Sequence, residues 1–406
     1  MAIHDLDRLA ADGGVPVRTA PLPRWPWFDE EQVAAASRVL ESGRINYWTG
    51  EEGRKFEQEW AAHTGVAHAL ALANGTVSLE MIVRSLGIGP GDDVIVTPRT
   101  FIASVACVVG AGARPVFADV DRDSQNITTE SITAALTPQT KAVIPVHLAG
   151  WPCDMPSIME MADRHGLAVI EDAAQAHGAA IGGRPVGGFG VATSYSFCQD
   201  KIITTGGEGG AVTTNDDALW DRIWAFRDHG KSHDEVFRDD HPPGFRWVHN
   251  SFGSNARMTE MQAAIGRIQI HRLPEWTRIR ARNATILNDA CLAAPGLRVT
   301  PPAADITHAY YKHYVFVEPD QLRPGWDRDR VMAAIAAEGI PVYSGSCPEV
   351  YLEHAFDDRF RPDERLPVAR ELGETSLMFM VHPTLDVADM EDAATAIQKV
   401  MAVAAE

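Results

Sequence analysis

The 406-residue chain has only five cysteines, Cys107, Cys153, Cys198, Cys291 and Cys347, and no C-x-x-C pair among them. An odd, scattered set in a long chain argues against a disulfide framework and for reduced thiols, so a cytoplasmic protein is expected, with no metal site. Long basic runs are absent and the formal net charge is −19. Nucleic acid and anionic membrane surfaces are therefore not expected partners. No apolar stretch approaches the roughly 18 residues that suggest a spanning helix. The opening M-A-I-H-D-L-D-R is charged, unlike a secretory signal. Internal repeats and low-complexity segments are also missing.

What is present is an ordinary globular composition, 45% hydrophobic and 22% charged. That is enough for one large domain and a smaller one. Residues 1–30 read as an arm, with P-L-P-R-W-P-W-F at 21–28 suited to a strap on another surface. From about 67 to 215, short apolar runs (68–73, 93–97, 114–120, 142–148, 167–171, 193–197, 210–214) alternate with helical stretches (76–86, 102–111, 129–136, 155–165). Such alternation implies βαβ units and a mainly parallel sheet of seven strands, covered on both faces. G-I-G-P-G-D at 87–92 follows a helix and precedes a strand, the reverse of a dinucleotide loop, so it is a helix stop. Expected strands at 311–317 and 341–343 and helices at 327–338 and 387–405 make a smaller α+β domain. A helix through 259–282 joins it to the rest. The expected division is an arm at 1–30, a large α/β domain at 31–275 and a small domain at 276–406.

Five segments carry chemistry. A-L-A-N-G-T-V-S at 71–78 runs from a strand into a helix start, where outward amides and the helix dipole favour an anion. A plain helix cap is the competing reading. T-P-R-T-F-I-A-S at 97–104 follows another strand, at the end where open α/β sheets bind ligands, and offers Phe101 as a face for a planar group. V-I-E-D-A-A-Q-A-H-G at 169–178 puts two carboxylates at a strand end, costly to bury unless paired. Asp172 there suits a protonated ring nitrogen, and Gln175 reaches the same ligand. S-F-C-Q-D-K-I-I-T-T-G-G-E-G-G at 196–210 offers the Ser196 hydroxyl and the Lys201 amine beside a glycine-rich turn. An amine so placed can lose its proton through desolvation and attack carbonyls. F-G-S-N-A-R-M-T-E-M-Q at 252–262 is a loop entering a helix, and at a dimer interface Asn255 would complete a neighbour's anion site. Together these give an imine-forming lysine, a ring-nitrogen carboxylate, a stacking aromatic and phosphate donors, in the order that a fold-type I pyridoxal phosphate enzyme needs.

Over nearly its whole length the chain resembles the DegT/DnrJ/EryC1/StrS family of sugar aminotransferases. The markers are N-G-T-V-S-L at 74–79, G-D-D-V-I-V-T-P-R-T-F at 91–101, G-A-R-P-V-F-A-D-V-D at 112–121 and T-K-A-V-I-P-V-H-L-A-G at 140–150. The segments at 169–178 and 196–210, with N-A-R-M-T-E-M-Q-A-A at 255–264, are the most specific. Arg99, Cys198, Gln199 and the extra glycine near 206 depart from the usual pattern.

The resemblance implies a homodimer with shared active sites and pyridoxal 5′-phosphate on Lys201. Asp172 matches the partner of the pyridine nitrogen, Gln175 its neighbour on the ring and Phe101 the stacking aromatic. Gly75, Thr76, the Val77 amide and Ser196 match the phosphate loop, and Asn255 matches a contact from the second subunit. The implied reaction moves an amino group from glutamate or glutamine to the ring ketone of a keto-sugar, expected to be nucleotide-linked. The alternative acceptor is a free keto-cyclitol or keto-sugar. More distant alternatives are a dehydratase, disfavoured by Lys201, and a non-catalytic regulator, disfavoured by Lys201 and Asp172 together. Candidates for lining the acceptor pocket are Trp25, Trp27, Tyr47, Trp48, His313, Tyr343, Ser344 and His382, with His147 and His177 in structural roles.

Overall fold

The computed structural model describes residues 8–241 and 243–406. Residues 1–7, which hold the start of the expected arm and of the charged N-terminal stretch, lie outside the described residues.

In chain order the helices are α1 (Glu30–Ser42), α2 (Glu52–Thr64), α3 (Gly75–Ser85), α4 (Ala103–Gly110), α5 (Thr129–Ala134), α6 (Met155–His165), α7 (Asp217–Arg227), α8 (His233–Phe237), α9 (Glu260–Leu292), α10 (Arg328–Ala337), α11 (Pro367–Thr375) and α12 (Val387–Ala404). The strands are β1 (His68–Leu72), β2 (Asp93–Val96), β3 (Arg114–Phe117), β4 (Thr140–Ile144), β5 (Ala168–Asp172), the short β6 (Ala180–Ile181) and β7 (Arg184–Pro185), β8 (Ala192–Ser196) and β9 (Gly210–Thr214). The remainder are β10 (Leu297–Arg298), β11 (Ile306–Thr307), β12 (His313–Val317), β13 (Val342–Tyr343) and β14 (Ser376–Phe379).

Seven strands form one sheet in the order β1-β9-β8-β5-β4-β2-β3. All neighbours from β3 to β8 are parallel, and β9 runs antiparallel between β8 and β1. Side chains of successive strand residues point to opposite faces, and here both faces are apolar. Val94, Val96, Ile144 and Ile170 enter the core with Ile82 and Trp224. Ile95, Val143 and Val169 enter the opposite core with Ile158 and Met161. This is the expected mainly parallel sheet, and it has one consequence for the site. Because β1, β2, β5 and β8 all run the same way, Asn74, Thr97, Asp172 and Ser196 emerge at the same edge.

A second sheet, antiparallel throughout, has the order β10-β12-β14-β13 and packs with α10 and α12. β14 has no counterpart in the sequence reading. The segment S-L-M-F follows α11 directly, without the turn residues that mark a strand start. The 33-residue α9 passes through the expected boundary at 275, with Pro274 inside it, and carries buried residues for both bodies. Thr259 caps α9 in a reciprocal capping box with Gln262.

Residues 9–22 lie across other elements. Leu9 is buried in the second body's core, and Val17 and Leu22 pack against it. Arg18 pairs with Asp389 and Asp392 at 2.9 Å each. Glu338 accepts from the Ala10 and Val17 amides and, fully buried, from Lys399 at 2.8 Å.

Candidate active site

The glycine-rich segment after β8 folds back on itself. The Phe197 amide donates to the Gly209 carbonyl, and the Thr205 amide to the Phe197 carbonyl. Ile202 and Ile203 are fully buried and anchor the turn, while the Thr204 amide donates to Gln269 Oε1 on α9 at 2.8 Å. Lys201 stands at this turn, half-buried, with its ammonium nitrogen 4.7 Å from the centre of the Tyr311 ring. The Tyr311 hydroxyl donates to Asp200, the residue before the lysine. Burial pushes the Asp200 carboxyl up, but the Lys201 charge and the Tyr311 hydrogen bond outweigh it and hold the carboxyl below its ordinary range. From the arm, Trp25 Nε1 donates to the Lys201 carbonyl at 3.0 Å.

Asp172 ends β5 and is buried. Its Oδ2 accepts from Ser104 Oγ at 2.7 Å and its Oδ1 from the Ala174 amide at 3.1 Å. Thr100 bonds Ser104 in turn, at 2.8 Å. The loop after β2 thus holds the carboxylate through hydroxyls and also presents Phe101. That ring is 65% exposed although its neighbours Arg99, Thr100 and Ser104 are buried, so an apolar face stands open beside a polar floor. Gln175 accepts from the Ala149 amide through Oε1 at 2.8 Å, which leaves its NH2 as the ligand-facing group.

Glu171 and Asp172 separate by face. Glu171 is fully buried and accepts from the amides of Gly187, Phe189 and Gly190, from the Thr193 hydroxyl and from His147 Nε2. Burial raises its carboxyl, but His147 and the amides outweigh this and hold it below the usual range. Because His147 Nδ1 accepts from the Cys153 amide at 3.0 Å, its Nε2 carries the hydrogen toward Glu171. Glu171 and His147 are scaffold. His177, buried among Trp60, Tyr195 and Phe197, is kept neutral, burial pushing it down to about 3.

At the start of α3, Gly75 packs directly on Ser196, where an added Cβ would sit 2.6 Å from the serine Cβ. Only glycine lets the helix start approach β8 so closely. The Gly75 and Thr76 amides lie at the first helical positions, beyond the reach of any intrahelical carbonyl. The Val77 amide differs from the sequence expectation. It donates to Asn74 Oδ1 at 3.0 Å as part of the helix cap, so it is not free for an anion. A phosphate there would meet Gly75, Thr76 and Ser196 instead.

Asn255 is exposed and bridges backbone with Asp228. It lies away from Lys201 on a surface loop with Phe245, Trp247 and Phe252, which are 75%, 85% and 100% exposed. Of the residues considered for the acceptor pocket, Trp25 and His382 stack at 6.0 Å near Lys201. His313 is buried and bonded to Asn288, Ser344 uses its carbonyl to accept from Ser376, and Trp27 and Tyr343 are exposed. Tyr47 and Trp48 pack with Arg227 and Trp224. Sequence reasoning assigned no role to Ser104, Asp200, Tyr311, Lys312 or Arg280. Of these, Ser104 and Asp200 stood in motifs already quoted. The others reach Lys201 across the fold.

The donor set fits pyridoxal 5′-phosphate. An amine for its carbonyl, a buried carboxylate for its ring nitrogen, an open aromatic face and a helix start with a serine hydroxyl meet at one sheet edge.

The model of the DegT/DnrJ/EryC1/StrS aminotransferase family matches residues 26–398. The L-glutamine:2-deoxy-scyllo-inosose aminotransferase of Streptomyces kanamyceticus is 37% identical over 420 residues, covering 97% of each chain. The GDP-perosamine synthase of Caulobacter vibrioides is 38% identical, covering 92% of this chain and 99% of its own. Among solved structures, the aminotransferase from Psychrobacter cryohalolentis superposes with a TM-score of 0.92 at 54% identity, covering 94% of this chain and 99% of that one.

Proposed function

We propose that this chain, which belongs to the DegT/DnrJ/EryC1/StrS aminotransferase family, carries its amino group from glutamate or glutamine to a ring ketone of a sugar or cyclitol. It is a pyridoxal 5′-phosphate-dependent aminotransferase with a fold-type I architecture. The observation that carries the residue assignment is the convergence of Lys201, Asp172, Phe101, Gly75, Thr76 and Ser196 at one edge of the sheet.

When bound, the cofactor supplies a carbonyl for amines and a pyridinium that delocalises the electron pair left at the substrate carbon. The protein's part is positional and acid–base. Asp172, held in place by Ser104 and the Ala174 amide, would pair with the ring nitrogen. Gln175 and Phe101 would contact the cofactor's ring, and the Gly75 and Thr76 amides with the Ser196 hydroxyl would hold its phosphate. Lys201 Nζ would take the proton from the substrate carbon and hold it for return. Asp200 and Tyr311 keep that amine over the reacting carbon.

A nucleotide-linked keto-sugar is the acceptor we favour, in line with the GDP-perosamine synthase relative. The free-cyclitol reading has its own support, because the 2-deoxy-scyllo-inosose enzyme matches end to end. The five cysteines are free thiols and, among the described residues, no helix is long and apolar enough to cross a membrane, which suits a cytoplasmic enzyme. The exposed aromatic loop around Asn255 suits a homodimer interface. We keep the division into an arm, a large domain at 31–275 and a small domain at 276–406.

Replacing Lys201 by alanine is the direct test. The variant should lose the visible absorbance of the lysine-bound cofactor and all amino transfer from glutamate. Transfer retained by that variant would sink the assignment.

A further inference from the structure

Beside Lys201 lies a set of basic side chains that the acid–base chemistry leaves unused. Lys312, just before β12, places its ammonium nitrogen 4.7 Å from the centre of the Tyr311 ring, the same distance as Lys201. Lys312 is 8% exposed, and its ammonium contacts Met380 Sδ at 3.2 Å. Arg280, on α9, is 1% exposed. Its Nη1 donates to the Tyr310 and Tyr311 carbonyls at 3.1 and 3.3 Å. Its Nε and Nη2 have no partner among the described residues. Trp25 covers the guanidinium at 5.2 Å, and His382 stacks on Trp25.

The charges around Lys312 do not balance. Those that act on it are Asp200, Arg280 and Lys201. One carboxylate therefore serves three cations, and it already accepts from the Tyr311 hydroxyl. Burial, with the Arg280 and Lys201 charges, pushes the Lys312 ammonium down to about 8 against the opposing pull of Asp200. Burial, with the Arg280 and Lys312 charges, pushes His382 down to about 3. Buried cations without a countercharge are costly, and native structures place them where a ligand supplies the missing anion.

We propose that Lys312, backed by Arg280, holds a carboxylate of the amino donor beside Lys201. This rests on the aminotransferase reading. Lys312 meets the carboxylate. Arg280, sealed behind Tyr311 and Trp25, is a positioning residue that fixes the Tyr310–Lys312 backbone and adds positive field. Both ammonium nitrogens lie 4.7 Å from the centre of the same ring, close enough for a single small amino acid to present its amine to Lys201 and a carboxylate to Lys312. More than nine-tenths burial of both basic groups suits a compact carboxylate and not the diphosphate of a nucleotide tail. Trp25, tied to the Lys201 carbonyl, closes this side.

The test uses the cofactor-loaded enzyme without acceptor. Glutamate is titrated while the visible cofactor band is followed, and glutarate, which has no amine, is titrated by calorimetry. In Lys312→Met the half-saturating glutamate concentration should rise about tenfold or more, and the glutarate dissociation constant should rise in step. The cofactor band before addition should be unchanged. Lys312→Arg should recover part of the affinity, whereas a purely structural role would give no such rescue. A glutarate constant equal in wild type and Lys312→Met overturns the proposal. So does a Lys312→Met variant whose half-saturation for glutamate is unaltered. If no amino acid bleaches the wild-type band, the aminotransferase reading fails by itself, and the glutarate titration still decides the anion site.

Discussion

Asp172 and Glu171 are adjacent carboxylates with opposite tasks, and the difference lies in what each accepts. Asp172 takes two hydrogen bonds and stays beside the open Phe101 face. Glu171 takes three amides, a hydroxyl and an imidazole, and has nothing left for a ligand. Substituting Asp172→Ala should lower turnover by roughly 10²–10⁴-fold, the range of a positioned acid–base group, with Tm little changed. A turnover within a few-fold of wild type would remove Asp172 from the mechanism. The places of Lys201, Asp172 and Phe101, at or just beyond strand ends, were legible from the apolar runs that precede them. Lys312 and Arg280 were not legible, since neither lies in a motif and their meaning depends on Tyr311 lying close to both Lys201 and Lys312.

At the scale of elements, Glu171 is the tie between β5 and the turn at 187–190. Glu171→Ala would leave three buried amides and His147 without their acceptor. The loss should be about 3 kcal/mol or more, seen as a lower midpoint in urea, with the cofactor band kept at low temperature. An unchanged midpoint would show the turn to be held otherwise. The parallel strands were legible because both faces are apolar and β-branched residues are abundant, as in Val94–Val96. β14 was hidden because Ser376–Phe379 depends on pairing with β12 and β13, not on its own propensity. The bond from the Val77 amide to Asn74 was not legible, because a helix start read from sequence does not say which amide its own cap will take.

Two consequences belong to the whole molecule. His177, His308 and His382 are each pushed down to about 3, and His313 to about 4, by burial. Their unfolded values lie near 6.5, so below that pH the unfolded chain binds more protons than the folded one. Stability should be full above about pH 6.5 and decline as pH falls toward 4, by up to about 1.4 kcal/mol per pH unit for each histidine. Thermal unfolding at a series of pH values should show this slope, and His177→Phe should make it shallower. A slope unaffected by that change would mean His177 is not neutral when buried.

The second consequence concerns the loop with Phe245, Trp247, Phe252 and Asn255. Large aromatics this exposed mark an interaction surface. If Asn255 serves the neighbouring subunit's site, then Lys201→Ala and Asn255→Ala subunits, each impaired alone, should complement when exchanged. Each mixed dimer would hold one intact site, restoring about a quarter of wild-type activity after random pairing. No recovery on mixing would place Asn255 in its own subunit's site or outside the chemistry.

The sequence by itself determined the alternation of strands and helices and the family resemblance, because these depend on local periodicity and on short motifs at strand ends. Only the tertiary structure decided what each of two adjacent carboxylates accepts from, which amide of α3 the Asn74 cap consumes, and that Trp25, Arg280 and Lys312 gather near Lys201. Those outcomes rest on contacts between residues far apart in the chain, where strand face, burial and charge balance are set by neighbours that local pattern does not encode.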